Sequence, residues 1–201
     1  VSVNTATTEL KTDVTLLDVL GITVEECTDT TELDYLLKQN FGRRVEAIYC
    51  LNKASENETF DKWMKNQKNK ETRIFSHGTR SSSIISILGQ GLKIRPTGNF
   101  QFSGKAFGEA VYVASFLEKS INYCGYDPDK FVLIYEVHYG NAYKHKGRNY
   151  GTDFPYTYPE LSKRGYDCVH AIGGVNGLIH DEIMLYDERQ VRVKYLIHLK
   201  S

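Results

Sequence analysis

Three groups of residues in this chain carry chemistry beyond what a fold needs. His77 stands between a strand-like segment, 72–76, and Gly78. An imidazole beside a glycine offers a hydrogen-bonding ring and a point of close backbone approach; the pair also suits a buried structural histidine and a plain turn. Glu182 opens a strand in His180-Asp181-Glu182. Its carboxylate can bond a hydroxyl and stabilise developing positive charge. The three residues together suggest a metal cluster, but successive strand side chains point apart and cannot all face one ion. Tyr112 lies on a strand and Tyr123 on the helix behind it. They serve either as core aromatics or as walls of a stacking pocket. No phosphate loop accompanies them: Gly104-Lys-Ala-Phe-Gly108 lacks the Walker spacing, and the glycine fingerprint of a dinucleotide fold is missing.

The elements that must position these groups follow from periodicity and punctuation. Residues 12–20 read as a short helix with Thr12 as cap and Gly21 as stop. Residues 29–42 read as a second, with Leu33, Leu36, Leu37 and Asn40 or Phe41 on one face and Gly42 after it. From residue 43 the pattern turns to strands, at 44–51, 72–76, 109–114, 131–139, 182–187 and 190–199. Helices punctuate them: 59–67 with Phe60, Trp63 and Met64 inward; 81–90 with Ile84, Ile85, Ile87 and Leu88 inward and Gly91 as stop; and 116–124. Residues 140–166 read as loop. Strands with few helices predict an α+β domain with a largely antiparallel sheet.

Composition narrows the function. A chain of 201 residues, 41% hydrophobic and 25% charged, suits one globular domain, with or without a small N-terminal appendage. Lys+Arg and Asp+Glu both number 25, which disfavours a globally basic nucleic-acid binder. No apolar run reaches the roughly 20 residues that span a bilayer, so no membrane is expected. The start, Val1-Ser-Val-Asn-Thr, has no signal pattern and no Met, and reads as processed or cut from a longer protein. Cys27, Cys50, Cys124 and Cys168 have no zinc spacing and read as free thiols in a reducing compartment, nuclear or cytoplasmic. Aromatic-rich strands account for most of the 14 Tyr.

The motifs, taken in order, resemble a known family. They are Phe75-Ser-His-Gly-Thr-Arg80, Ile84-Ile-Ser-Ile-Leu-Gly-Gln-Gly-Leu-Lys-Ile94, Phe107-Gly-Glu-Ala-Val-Tyr-Val-Ala114, Glu118-Lys-Ser-Ile-Asn-Tyr-Cys124, Gly165-Tyr-Asp-Cys-Val-His170 and Asp181-Glu-Ile-Met-Leu-Tyr-Asp187. This pattern resembles the catalytic domain of the poly(ADP-ribose) polymerase family, the diphtheria-toxin-like ADP-ribosyltransferases with a His-Tyr-Glu triad. The resemblance implies an ADP-ribosyltransferase fold of two packed, mainly antiparallel sheets over 45–201, after a short helical segment at 1–44. It implies NAD+ as co-substrate, with no metal.

It also implies roles. His77, Tyr112 and Glu182 match the catalytic triad. Tyr123 matches the tyrosine that stacks on nicotinamide, with Tyr112 opposite. The Gly78 backbone and the Ser120 hydroxyl match the groups that bond the carboxamide. His77 and Thr79 match the adenosine-side ribose contacts, and Lys119 a lysine at the pocket floor. The acceptor is expected to be a protein, with nucleic-acid ends open as a second class; the residues set no oligomeric state. Oligomer or polymer synthesis leads, with mono-transfer close behind and an inactive NAD- or ADP-ribose-binding module as the non-enzymatic reading. Glu109-Ala110 and Val113 depart from the family pattern near the pocket, and the brief segment from Asn176 to Glu182 predicts an open acceptor side.

Overall fold

The computed structural model describes residues 15–39, 43–95, 106–149 and 157–200. In chain order the elements are α1 (Leu16–Leu20), β1 (Ile22–Glu26), α2 (Asp34–Leu37), β2 (Arg44–Lys53), α3 (Ala54–Lys65), β3 (Thr72–Gly78), α4 (Ser81–Gln90), β4 (Val111–Val113), α5 (Leu117–Ile121), β5 (Asp129–His138), β6 (Ala142–Lys146), α6 (Tyr158–Lys163), β7 (Cys168–Ile172), β8 (Glu182–Leu185) and β9 (Val191–Lys200). The strands form two sheets, ordered β1-β2-β9-β5-β3 and β4-β8-β7-β6. Every pairing is antiparallel except β6 with β7. This is the α+β architecture of two mainly antiparallel sheets and short helices that the residues and the resemblance lead one to expect.

β5 shows why the strands read as they do. Val132, Leu133, Ile134, Tyr135 and Val137 are all buried. Alternation sends Leu133, Tyr135 and Val137 into the core between the sheets, against Phe75, Val113, Ile183 and Leu185. Val132 and Ile134 face the other way, onto Leu36, Leu117 and Ile121. Burial on both faces makes the run continuously apolar. Each such side chain contributes roughly 1.5–3 kcal/mol. A third cluster, with Phe107, Leu161 and Met184, covers the far face of the second sheet.

α4 packs through Ile84 and Leu88, whereas Ile85 is exposed, so the inward stripe is narrower than expected. The helix is held at its C-terminus by a buried cation. Lys53 Nζ donates to the Leu88 and Gly89 carbonyls at 2.6 and 2.7 Å, where positive charge is favoured. Glu56 lies 3.7 Å from that ammonium and accepts the Val193 N–H at 2.8 Å.

Several local expectations are corrected. Thr15, not Thr12, caps α1, in a reciprocal capping box with Asp18; Thr12 lies outside the described residues. Gly21 does end the helix, at φ 65°. Residues 22–26, inside the stretch read as helical, form β1, because a five-residue register on β2 outweighs weak local preference. Asn40, Phe41 and Gly42 lie outside the described residues. α3 begins at Ala54, five residues before 59. The segment read as loop contains β6 and α6.

The cysteine reading is also corrected. Cys27 and Cys50 are joined in a disulfide, while Cys124 and Cys168 are free and buried. Cys27 follows β1 and its N–H bonds the Ile48 carbonyl of β2, so sheet pairing brings the two sulfurs together. No helix among the described residues is long and apolar enough to cross a membrane. Closing 23 residues of chain in the unfolded state corresponds to roughly 3 kcal/mol of stabilisation. Reductant should therefore lower the melting temperature of the native chain and leave that of Cys27→Ser unchanged. Identical melting of the native chain with and without reductant would show two thiols instead.

Candidate active site

The edge strands β3 and β4 meet at one bridge among the described residues. Ser76 and Ala114 exchange backbone N–H···O bonds of 2.9 and 2.8 Å. Beyond it the strands part. In an antiparallel strand the N–H and C=O of one residue point to one side and those of the next residue to the other. Ser76 points to β4, so Gly78, two residues on, presents its amide and carbonyl to the same edge, where β4 no longer takes them up. α5 packs on the face of β3 at this point, in the direction a side chain would take. A Cβ on Gly78 would fall 1.6 Å from the Ser120 carbonyl oxygen and 2.4 Å from its carbon. Only glycine lets β3 end against this helix.

His77 borders the opening. Its Nδ1 lies 2.9 Å from the Tyr112 carbonyl oxygen. A carbonyl only accepts, so Nδ1 carries the proton and, in the neutral ring, Nε2 is a bare acceptor. Burial pushes the imidazole pKa below its ordinary 6.5, only partly countered by the Tyr112 carbonyl. The ring is therefore neutral near pH 7.

α5 carries Lys119 and Ser120, the latter against Gly78; the helix expected at 116–124 ends at Ile121, so Tyr123 stands on the turn after it rather than on the helix. Ser120 is buried, with its hydroxyl 2.7 Å from Ser76 Oγ. Ser76 Oγ donates to the Ala114 carbonyl at 3.0 Å, which makes Ser120 the donor of the shared bond. Lys119 Nζ forms an ion pair with Glu182 Oε1, and lies 3.5 Å from the His180 carbonyl oxygen. Both side chains of the pair are largely buried, at 14% and 15% exposure. Tyr123 is 41% exposed, so much of its surface is open to a ligand. Burial raises its pKa, the Glu182 charge raises it further, and Arg148 opposes both. The phenol, the carboxylate and the guanidinium are thus electrostatic neighbours.

Glu182 begins β8 and pairs with Ala171 across the ladder. By alternation it shares a face with Met184, whose partner in β4 is Tyr112. Glu182 and Tyr112 therefore rise from the same face of the second sheet. The Tyr112 hydroxyl donates to the Gly108 carbonyl at 2.8 Å and accepts the Phe107 N–H at 3.1 Å, which fixes its ring. Asp181 points to the opposite face and bonds His170, so His180-Asp181-Glu182 is not gathered on one ion. Thr79 follows β3, half-buried, with its backbone beside the Cys124 thiol.

Two features escape a reading of the residues alone. Arg148 reaches the Tyr123 environment; the readable signal was the basic alternation Lys144, Lys146, Arg148. Val175-Asn176-Gly177-Leu178 forms a tight turn with φ of 47° at Asn176 and 75° at Gly177, signalled by Asn-Gly between apolar residues. Two surface hollows among the described residues lie elsewhere, one at Tyr35, Arg73 and Ser115 and one along 174–179.

The chain was compared with known proteins. The family model described as poly(ADP-ribose) polymerase catalytic domain matches residues 29–201. The poly [ADP-ribose] polymerase-like 100L protein of Invertebrate iridescent virus 6 is 41% identical over 174 residues, covering 85% of this chain and 95% of the relative. Poly [ADP-ribose] polymerase 1 of Gallus gallus is 30% identical over 182 residues, 80% of this chain and 18% of its own length. That of Danio rerio is 29% identical over 180 residues, 78% and 17%. The chain thus spans nearly all of the viral relative and under a fifth of the vertebrate ones.

The Gly78–Ser120 contact is directly testable. The obstacle to a side chain is backbone, which cannot swing aside, so Gly78→Ala should cost about 3 kcal/mol or more. Gly89→Ala, whose Cβ would meet only the Leu20 side-chain tip at 3.2 Å, should stay within about 1 kcal/mol of the native chain. Urea midpoints at constant slope measure both. A Gly78→Ala chain as stable as the native one would refute the contact.

Proposed function

Because the chain belongs to the poly(ADP-ribose) polymerase catalytic-domain family, and with it to the NAD-dependent ADP-ribosyltransferases, we propose that the residues gathered at the end of β3 bind NAD and transfer its ADP-ribose to a protein acceptor. What supports this reading above all is the Glu182–Lys119 pair standing beside the open ring of Tyr123.

Each group has a task that its chemistry suits. Nicotinamide is a flat ring bearing a carboxamide. Tyr123 stacks on the ring, with Tyr112 on the other side. The Gly78 N–H and C=O, pointing into the opening, bond the two ends of the carboxamide, and the Ser120 hydroxyl adds a third contact. A carboxamide held this way improves nicotinamide as a leaving group. His77 Nε2 accepts from a hydroxyl of the adenosine-side ribose, with Thr79 beside it. Breaking the nicotinamide–ribose bond passes through an oxocarbenium-like transition state. Glu182 bonds a hydroxyl of that ribose, stabilises the developing cation and orients the incoming nucleophile. Lys119 holds the carboxylate in place before the sugar arrives.

Full triad residues favour elongation to oligomer or polymer. The tight turn at 175–178 favours the second reading, mono-transfer, because it leaves a short acceptor rim. Labelled NAD, resolved on a gel with and without a polymer-specific hydrolase, separates the two. An intracellular setting, nuclear or cytoplasmic, fits the free Cys124 and Cys168; the Cys27–Cys50 bond fits it less well.

Glu182→Gln should lower transfer roughly 10²–10⁴-fold, since it removes a charge used in the transition state, and leave NAD affinity nearly unchanged. Nicotinamide release and NAD titration measure the two quantities. Near-native turnover would remove Glu182 from the mechanism.

The depressed His77 pKa gives a second expectation. The folded chain resists protonating this ring, so the unfolded state binds more protons below pH 6.5. Its contribution to stability is complete above that pH and is lost as pH falls through the folded value. Nε2 stays an acceptor over the same upper range. NAD kcat/KM should therefore hold level from pH 8 to 6.5 and fall only below it. A fall beginning above pH 7 that His77→Gln abolishes would contradict the neutral-ring assignment.

A further inference from the structure

On the face of β7 and β8 opposite Glu182 lies a row of polar side chains that the mechanism above does not use. Tyr139, just past β5, is buried, and its hydroxyl is 2.7 Å from Nδ1 of His170. Nε2 of His170 is 2.6 Å from Asp181 Oδ2, and Asp181 Oδ1 accepts the Gly173 N–H at 2.8 Å. The Arg73 guanidinium lies 3.8 Å from the centre of the Tyr139 ring.

Desolvated polar groups are tolerated when every member finds a partner. This row is complete in both states of the imidazole. With a neutral ring, Tyr139 donates to Nδ1 and Nε2–H donates to Asp181; with a charged ring, Nδ1–H donates to the Tyr139 oxygen. Burial raises the Tyr139 pKa and keeps the hydroxyl protonated. Burial also opposes ionisation of Asp181, but the Gly173 N–H and His170 outweigh it and hold the carboxyl below its ordinary value.

The consequence falls on the next residue. Asp181 and Glu182 are neighbours whose side chains leave the strand on opposite faces. Asp181 is tied to β7 through His170 and to the loop through Gly173. A Cβ on Gly173 would lie 2.5 Å from the His180 carbonyl carbon, so this loop closes tightly just before β8. The backbone carrying Glu182 is held from one face by this clamp, and its carboxylate is held on the other by Lys119.

We propose that Tyr139, His170 and Asp181 are positioning residues for Glu182, holding the first residue of β8 so that its carboxylate stands where the reacting sugar must be. The inference rests on the reading of Glu182 given above. Displacing a reacting group by about 1 Å can cost on the order of 10²-fold in rate.

His170→Phe keeps a ring in the site and removes both hydrogen bonds. In nicotinamide release it should lower kcat by roughly 10- to 100-fold, with the KM for NAD within about twofold. His170→Gln, which keeps a donor toward Asp181, should recover part of the loss. In a Glu182→Gln chain the same His170→Phe change should cost less than about twofold, because there is no carboxylate left to position. Native kcat in folded His170→Phe, an equal loss in both backgrounds, or a change in KM alone would overturn the proposal. Circular dichroism reports folding. If His170→Phe does not fold, Tyr139→Phe, which removes one hydroxyl, is put through the same cycle, with a loss of about three- to tenfold expected. Glu182→Gln alone keeps the two ideas apart: native turnover there sinks the site reading, whereas equal losses in the cycle sink only the positioning.

Discussion

Ser76 and Ala114 exchange two backbone hydrogen bonds, and at that point the edges of the two sheets are pinned together. The geometry of the site follows from this junction. Before it, β3 is an ordinary strand on β5. After it, β3 and β4 diverge, and the amide and carbonyl of Gly78 point into the gap. The same divergence brings the His77 ring onto the Tyr112 carbonyl and leaves room for α5 to press its backbone against Gly78. A side chain at 78 would wedge the helix away and take Lys119, Ser120 and Tyr123 with it.

A strand with alternating side chains can carry reaction chemistry on one face and its support on the other. In the mechanism proposed here the start of β8 does this with consecutive residues: Glu182, its first, faces Lys119, and Asp181, just before it, faces His170. The histidines show a related division of labour. His138 is fully buried with both nitrogens committed, accepting the Trp63 N–H at 3.0 Å and donating to the Asn69 carbonyl at 2.8 Å. Such a ring fastens α3 to the sheet and has nothing left to offer. His77 has one nitrogen committed and the other an open acceptor. A committed nitrogen sets the tautomer, and the tautomer decides what the remaining nitrogen can do.

Much of this was legible from residues. α4 was bounded by its apolar spacing and Gly91, and β5 by its unbroken apolar run. β1 and β6 were not, because each is an edge strand with polar residues, and its partner rather than its own periodicity makes it a strand. The Cys27–Cys50 bond was missed for the same reason: two cysteines 23 residues apart mean nothing until β1 pairs with β2. In the site, types and motif order pointed to His77, Tyr112 and Glu182. The purpose of Gly78 was not readable, since the atom that excludes a side chain belongs to Ser120, 42 positions on.

By itself, then, the sequence determined the repertoire: an α+β chain, an imidazole beside a glycine, tyrosines that suit a core or a stacking pocket, and a carboxylate at the start of a strand. Those properties are local, and side-chain chemistry and short-range periodicity carry them. Only the tertiary structure decided which nitrogen of His77 stays open, that Lys119 is the partner of Glu182, and that Asp181 turns from its neighbour toward His170. Each of these depends on groups far apart in the chain meeting within hydrogen-bonding distance. Such meetings are set by sheet register and helix packing, which no short stretch of residues encodes.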